Sequence, residues 1–126
     1  MLPWIELDRA KVPGGTEFVL RQRGTEFTIF AGTIGLMGSR MSGSEEALAT
    51  LAAERLGNRA KQRWLIGGLG MGFTLRAALK VAPADAELIV VELVPGVIKW
   101  ARGALAGIHG DSLDDPRVRL REGDVG

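Results

Sequence analysis

Trp64-Leu65-Ile66-Gly67-Gly68-Leu69-Gly70-Met71-Gly72-Phe73-Thr74-Leu75 is the stretch whose reading decides the fold. Trp64 to Ile66 is a short apolar run of the kind that forms a buried parallel strand. Gly67, Gly68, Gly70 and Gly72 make a loop, and Phe73 to Lys80 reads as a helix. Strand, glycine loop and helix together bring a ligand against backbone N–H groups at a helix N-terminus. Glycine suits such a loop because it accepts positive φ and has no side chain to hold a ligand away. A second apolar run, Leu88-Ile89-Val90-Val91, closes in Glu92. That acid stands about twenty positions beyond the glycines, where nucleotide-binding α/β folds place the carboxylate that grips ribose hydroxyls. A third strand, Val118-Arg119-Leu120, runs into Glu122-Gly123-Asp124. A glycine loop by itself is a weak signal. With an acid closing each of the next two strands, it outweighs the plainer reading of a glycine-rich turn and two surface acids.

The composition narrows the classes. A chain of 126 residues with 46% hydrophobic content is material for about one globular domain. Sixteen basic and fifteen acidic residues give a net charge of +1, and no basic cluster interleaves with aromatics, which argues against a nucleic-acid binder. There is no cysteine and one histidine, so neither disulfides nor a thiolate metal site is expected. No metal site of another kind is expected either. Met1-Leu2-Pro3-Trp4-Ile5-Glu6 lacks the basic flank and apolar core of a signal peptide. No run approaches the roughly 18 apolar residues of a membrane span. The expectation is a soluble, cytoplasmic protein with no membrane partner.

Upstream of the glycine loop the pattern changes. Ile5 to Ala10 alternates, Val12-Pro13-Gly14-Gly15 breaks it, and Glu17 to Gln22 and Glu26 to Phe30 read as strands about an Arg23-Gly24 turn. Gly32 and Gly35 punctuate the next reversal, ahead of Leu36 to Met41. This is an antiparallel meander of three or four strands, expected to act as a lid or an oligomer contact. Ser42 and Glu45 fit a capping box for a helix with the stripe Leu48, Leu51, Ala52 and Leu56, ending at Gly57. Residues 58–63 read as a solvated basic linker. Pro95 opens a third helix whose buried stripe is Val97, Ile98, Ala101 and Leu105, with Trp100 at its edge. The loop from Gly107 to Pro116 carries His109, for which no catalytic partner is identifiable. The expected fold is therefore α/β: a small β-domain over 1–41, then a helix and a β-α-β-α-β half of a Rossmann-like, doubly wound sheet over 42–126.

Leu-Ile-Gly-Gly-Leu-Gly-Met-Gly (65–72), Val-Val-Glu-Leu-Val-Pro-Gly-Val-Ile (90–98), Leu-Asp-Asp-Pro-Arg-Val (113–118) and Glu-Gly-Asp-Val (122–125) carry a resemblance. They resemble the first half of the ligand-binding domain of spermidine synthases, the polyamine aminopropyltransferases, and through them class I S-adenosylmethionine-dependent methyltransferases. The upstream strands and Ser44-Glu45-Glu46-Ala47 resemble that family's β-domain and following helix. The resemblance implies a cofactor, S-adenosylmethionine or its decarboxylated form. It places Gly67, Gly68, Gly70 and Gly72 beside the sulfonium nucleoside, Glu92 on the ribose hydroxyls, and Asp124 with Val125 at the adenine edge. Phe73 and Leu93 would be apolar walls.

The departures are equally specific. The family's glycine loop usually holds an aspartate that pairs with the aminopropyl amine, and here that position is Gly70. Its amine-binding Tyr, His or Gln, and Glu correspond to Leu48, Ala49 and Thr50, and the chain has no tyrosine. Putrescine is therefore not the expected acceptor, and weight moves from aminopropyl toward methyl or other alkyl transfer. The family's catalytic acid would lie beyond Gly126, so no catalytic residue is assigned. Ending there would also leave the glycine-loop strand as an open sheet edge. That implies a fragment, not competent alone, and a homodimer that covers the edge. Two other functions stay open. One is a non-catalytic ligand-binding or assembly module. The other is a dinucleotide-binding oxidoreductase fragment, though its fingerprint wants glycine at 73, which is Phe, and does not explain Asp124.

Overall fold

The protein is described here from a computed structural model, which describes residues 2–39 and 44–123. Four antiparallel strands come first: β1 (Ile5–Ala10), β2 (Phe18–Arg23), β3 (Glu26–Ala31) and β4 (Ile34–Gly38), in the order β1-β2-β3-β4. Helix α1 (Ser44–Leu56) follows. Then come β5 (Arg63–Gly67), α2 (Phe73–Val81), β6 (Glu87–Glu92), α3 (Pro95–Arg102), the single turn α4 (Ala106–His109) and β7 (Val118–Glu122). The last three strands form a parallel sheet, β5-β6-β7. An antiparallel meander leads into a β-α-β-α-β unit, as the periodicity of the sequence predicts.

The meander turns where glycine permits it, at Gly24 (φ 60°) and Gly32 (φ 62°). Gly35 is not a turn residue. It lies inside β4 opposite Phe30, where the register slips by one residue, so the fourth strand begins earlier than the pattern suggests. Ala10, Leu20 and Ile29 of the meander belong to the same buried cluster as Ile66, Leu88, Val90 and Val97.

Two contacts fasten the meander to α3. A Cβ on Gly96 would collide with the Cβ of Ala10, so only glycine lets β1 and the start of α3 come this close. The Asp8 carboxylate accepts from the indole N–H of Trp100 at 2.8 Å and from Lys99 Nζ at 3.2 Å. Trp100 is 2% exposed and belongs to the core, not its edge. Its N–H calls for a hydrogen-bond acceptor at Asp8, because a buried donor left unpaired is costly.

The parallel sheet is covered on one face only. Trp64, Ile66, Leu88, Val90 and Val118 are buried beneath helices, whereas Leu65 is 65% exposed. The expectation of a strand buried on both sides fails here for a topological reason. Successive right-handed crossovers from β5 to β6 and from β6 to β7 put both connecting helices on the same side. β5 has one sheet partner, β6, and is an edge among the described residues.

α1 departs further from its predicted stripe. Leu48 (62% exposed) and Leu51 (55%) point outward, and Ala49 is the buried residue, with Ala52, Ala53 and Leu56 partly covered. The 3.6-residue period is present, but packing selects the alanine face, which allows close approach to α2. The proposed Ser42 cap lies outside the described residues. The basic linker also contains an unforeseen core element, Gln62, which is 5% exposed. Its side chain donates to the carbonyls of Gly57 and Arg59 and accepts the indole N–H of Trp64 at 3.0 Å.

Replacing Asp8 by Ala leaves the Trp100 indole N–H buried and unpaired, and is expected to cost about 1–3 kcal/mol. Asp8→Asn, which keeps an acceptor, should cost less. The hydrogen bond from Trp100, foremost, holds the Asp8 carboxyl below the usual carboxylate range. Its contribution is therefore present above the unfolded pKa of about 3.9 and is lost as the pH falls through the folded value. Thermal unfolding of the three proteins at pH 7 and at pH 3 checks both points.

Candidate functional site

The glycine loop begins where β5 ends, and three of its glycines have positive φ: Gly68 (97°), Gly70 (50°) and Gly72 (82°). These conformations turn the chain sharply from β5 into α2. The turn is held from the neighbouring strand. Gly68 N donates to Val91 O at 2.7 Å, and Gly72 N donates to Leu69 O at 2.8 Å. Glu92, at the end of β6, is 7% exposed. Its Oε1 accepts from the N–H of Leu69 at 2.7 Å and of Gly70 at 3.4 Å, and its Oε2 accepts from Val94 N at 3.1 Å.

This corrects part of the sequence reading. The loop N–H groups are not bare: those of Gly68, Leu69, Gly70 and Gly72 have acceptors within the protein. The helix supplies the unpaired donors instead. Its hydrogen bonding begins with Arg76 N to Gly72 O at 2.9 Å, which leaves the first-turn N–H groups of Phe73, Thr74 and Leu75 without intrahelical partners. Glu92, expected at ribose hydroxyls, is turned first to its own backbone. It is a buried hook that sets the loop's shape.

A cleft of about 470 Å³ opens between the glycine loop and the meander. Gly67, Gly68, Leu69, Gly70 and Met71 form its floor, with Phe73 and Thr74 at the start of α2 and Glu92, Leu93 and Val94 at the end of β6. Val12, Phe18, Leu36, Met37 and Gly38 of the meander form the opposite wall. Met37 touches the loop: a Cβ on Gly70 would lie 2.8 Å from its sulfur. This size suits a small organic ligand. The cleft thus brings together Gly67, Gly68, Gly70, Glu92, Leu93 and Phe73. Gly72 is buried behind it, and Asp124 and Val125 lie outside the described residues. The acids that close β6 and β7, Glu92 and Glu122, are paired in register.

His109 lies elsewhere. Predicted in a loop, it ends α4 and is 2% exposed, packed so closely on Gly72 that a Cβ there would strike its Nδ1. Among the described residues neither ring nitrogen has a hydrogen-bond partner of good geometry, the Gly70 backbone making a weaker polar contact with the ring. It lines a separate groove with Arg76, Lys80, Asp111 and Asp114, not the cleft. Burial, foremost, pushes its pKa down; the Arg76 charge adds to this, and the Gly70 backbone opposes it. His109 is a packing residue under the loop, and this position is inconsistent with a catalytic role in the cleft. Residues 107–116, expected as a loop, include the end of α4 and a 3-10 turn at Ser112–Asp114, and Ser112 Oγ donates to His109 O at 2.8 Å. Arg117 closes the segment, donating to the carbonyls of Ala82 (2.9 Å) and Leu79 (3.1 Å) at the end of α2 and to Asp115.

Solved structures share this fold. Spermidine synthase in complex with the transition-state analogue AdoDATO superposes with a TM-score of 0.74 at 21% identity, over 94% of this chain and 41% of that one. The chain has the fold of part of spermidine synthase. Spermidine synthase from Thermotoga maritima matches equally, with a TM-score of 0.74 at 21% identity, over 94% of this chain and 40% of that one. A probable spermidine synthase from Corynebacterium glutamicum ATCC 13032 matches at 0.54 and 14% identity, over 98% of this chain and 46% of that one. No protein-family model and no curated protein matches the sequence. The chain spans less than half the length of these solved relatives. At such identities the likeness concerns the fold. No described helix is long and apolar enough to cross a membrane.

Two outcomes follow from the geometry. Glu92→Gln replaces one acceptor oxygen by an N–H₂ group aimed at backbone donors, and should lower stability by about 2–3 kcal/mol without any ligand present. Urea titration reads this directly, and an unchanged midpoint would contradict the hook. For His109 the folded pKa lies below the unfolded value of about 6.5, so the unfolded chain binds the extra proton. Stability is complete above that value and falls, by up to about 1.4 kcal/mol per pH unit, as the pH drops below it. His109→Gln should flatten the curve of unfolding free energy between pH 7 and pH 5.

Proposed function

We propose that the chain forms the nucleoside-binding part of a spermidine-synthase-like transferase, whose donor is S-adenosylmethionine or its decarboxylated form. The observation that carries this reading is the cleft itself: a glycine loop, a buried acid at the end of the next strand, and a β-meander wall, in one cavity of nucleoside size. The likeness to a spermidine synthase solved with AdoDATO agrees with it.

The residues fit a nucleoside with one qualification. A carboxylate offers about four acceptor sites; the loop occupies two of Glu92's and Val94 a third. One ribose hydroxyl can therefore bind without disturbance. A second requires the long 3.4 Å contact from Gly70 to give way. Ligand binding and loop shape are coupled through this side chain. The glycines allow the nucleoside to lie against the backbone, Phe73 and Leu93 flank it, and Asp124 with Val125 is assigned the adenine edge.

Transfer would be an in-line attack by a nucleophile on the carbon next to the sulfonium, breaking that C–S bond and releasing a neutral thioether nucleoside, aided chiefly by positioning. The nucleophile's proton needs a base. The described residues lining the cleft provide none, since Glu92 is engaged and His109 is elsewhere. That observation favours, as a second reading, a ligand-binding module that needs further chain for catalysis. A homodimer belongs to the proposal too. The uncovered sheet face, with Leu65 exposed beside half-buried Ile89 and Val91, supports an interface there.

Thermal shift against S-adenosylmethionine, decarboxylated S-adenosylmethionine, methylthioadenosine and NAD tests the assignment. A nucleoside at a hundred times its dissociation constant should add about 2.7 kcal/mol of stability, several degrees for a domain of this size. Glu92→Gln should abolish the shift relative to its own ligand-free midpoint. A shift with NAD alone would establish the oxidoreductase reading instead.

A further inference from the structure

We infer that His109 is a positioning residue for the glycine loop, and that a proton taken up by its ring releases the loop and weakens nucleoside binding. The hold on the loop stands on the geometry of this chain. The effect on binding rests on the nucleoside reading above.

The ring lies directly under the end of the loop. His109 is 2% exposed, and its Nδ1 occupies the place where a Cβ on Gly72 would project. The preceding residues of the same loop, Gly67 to Met71, form the floor of the cleft. Both ring nitrogens are shut away from water, and among the described residues neither has a hydrogen-bond partner of good geometry. Buried polar groups in that state are rare. An imidazolium has two N–H donors to satisfy. One weak acceptor is at hand: the Gly70 backbone, which favours the charged ring as a carbonyl does.

The surrounding charges do not stabilise a protonated ring. Residues 67–73 of the loop carry no ionisable side chain. On α2, Arg76 donates to Ile108 O at 2.8 Å and its charge opposes a second cation, while Lys80 lines the same groove. In the segment after α4, Asp111 and Asp114 are exposed and screened by solvent, and Asp115 is paired with Arg117. Glu92, at the end of β6, accepts from Leu69 and Gly70. A protonated His109 therefore has to reach water.

Ring and loop differ in how firmly they are held. His109 N donates to Leu105 O at 3.1 Å and His109 O accepts from Ser112 Oγ at 2.8 Å, so its backbone is fastened on both sides. The loop has three glycines at positive φ, and its contact from Gly70 to Glu92 is long at 3.4 Å. The loop gives way first. Lifting it hydrates the ring and undoes the floor of the cleft in one movement.

Amide exchange read by NMR tests the hold on the loop. Between pH 7 and pH 5 the protection of Leu69, Gly70 and Gly72 should fall by about tenfold or more, while Val90 in the core of β6 keeps its own. In His109→Gln the loop should stay protected. Methylthioadenosine, which has no group that titrates over this range, probes binding. Its affinity should fall by about threefold or more in the wild type and stay level in His109→Gln, which separates the imidazole from every carboxylate. By reciprocity, saturating methylthioadenosine should lower the midpoint of the His109 titration. The chain has one histidine, so this wild-type measurement is unambiguous and does not depend on the variant folding. Loop protection that is unchanged at pH 5, or lost equally in His109→Gln, would overturn the inference and leave the nucleoside assignment standing. An unmoved midpoint with bound nucleoside would overturn the coupling to binding. Absence of binding at pH 7, with loop protection lost as expected, would overturn the nucleoside assignment and leave the hold of His109 on the loop established.

Discussion

A buried carboxylate that accepts backbone N–H groups from its neighbouring strand's loop is the constraint on which the site depends. A glycine loop with three residues at positive φ has many conformations open to it in an unfolded chain, and something must select one. Glu92 does so by drawing Leu69 and Gly70 toward the end of β6 while holding Val94, the residue that caps α3. One side chain therefore fixes where α2 begins, where α3 begins and how wide the floor of the cleft is. Burial strengthens the arrangement, because removing the carboxylate would leave donors without acceptors in a region that water does not readily reach.

The second wall of the cleft is positioned by contacts far from it. Asp8 holds Trp100 and Lys99, and Ala10 lies against Gly96, so β1 is seated on α3. The rest of the meander follows through its ladder, and β4 arrives over the loop with Met37 above Gly70. The cleft is thus an interface between two sheets with a joint buried cluster. A change at β1 can move its wall without touching any residue that lines it.

Glu92 is the one ionisable group among the described residues that line the cleft. Its hydrogen bonds come from neutral backbone N–H groups, which satisfy its oxygens without cancelling a carboxylate's charge. The side chain that shapes the floor of the cleft therefore also sets the sign of its electrostatics.

The order of elements, the glycine loop, and the acids at the ends of β6 and β7 were legible in the sequence, because each rests on local patterns. Alternation, apolar runs and glycine punctuation act over a few residues, and the β-α-β-α-β order follows from them. What the sequence left open lies in contacts between distant elements. The period of α1 showed a stripe, but only packing chose Ala49 over Leu48 and Leu51, since the choice depends on how near α2 lies. Leu65 looked as buried as Ile66 until the side occupied by both crossover helices was known. His109 read as a loop residue because nothing local marks a ring destined to pack under Gly72. The spacing marked Glu92 as a candidate ligand-binding acid. That it first serves its own backbone was decided by the fold, which brings a strand end and a loop more than twenty residues apart within hydrogen-bond reach.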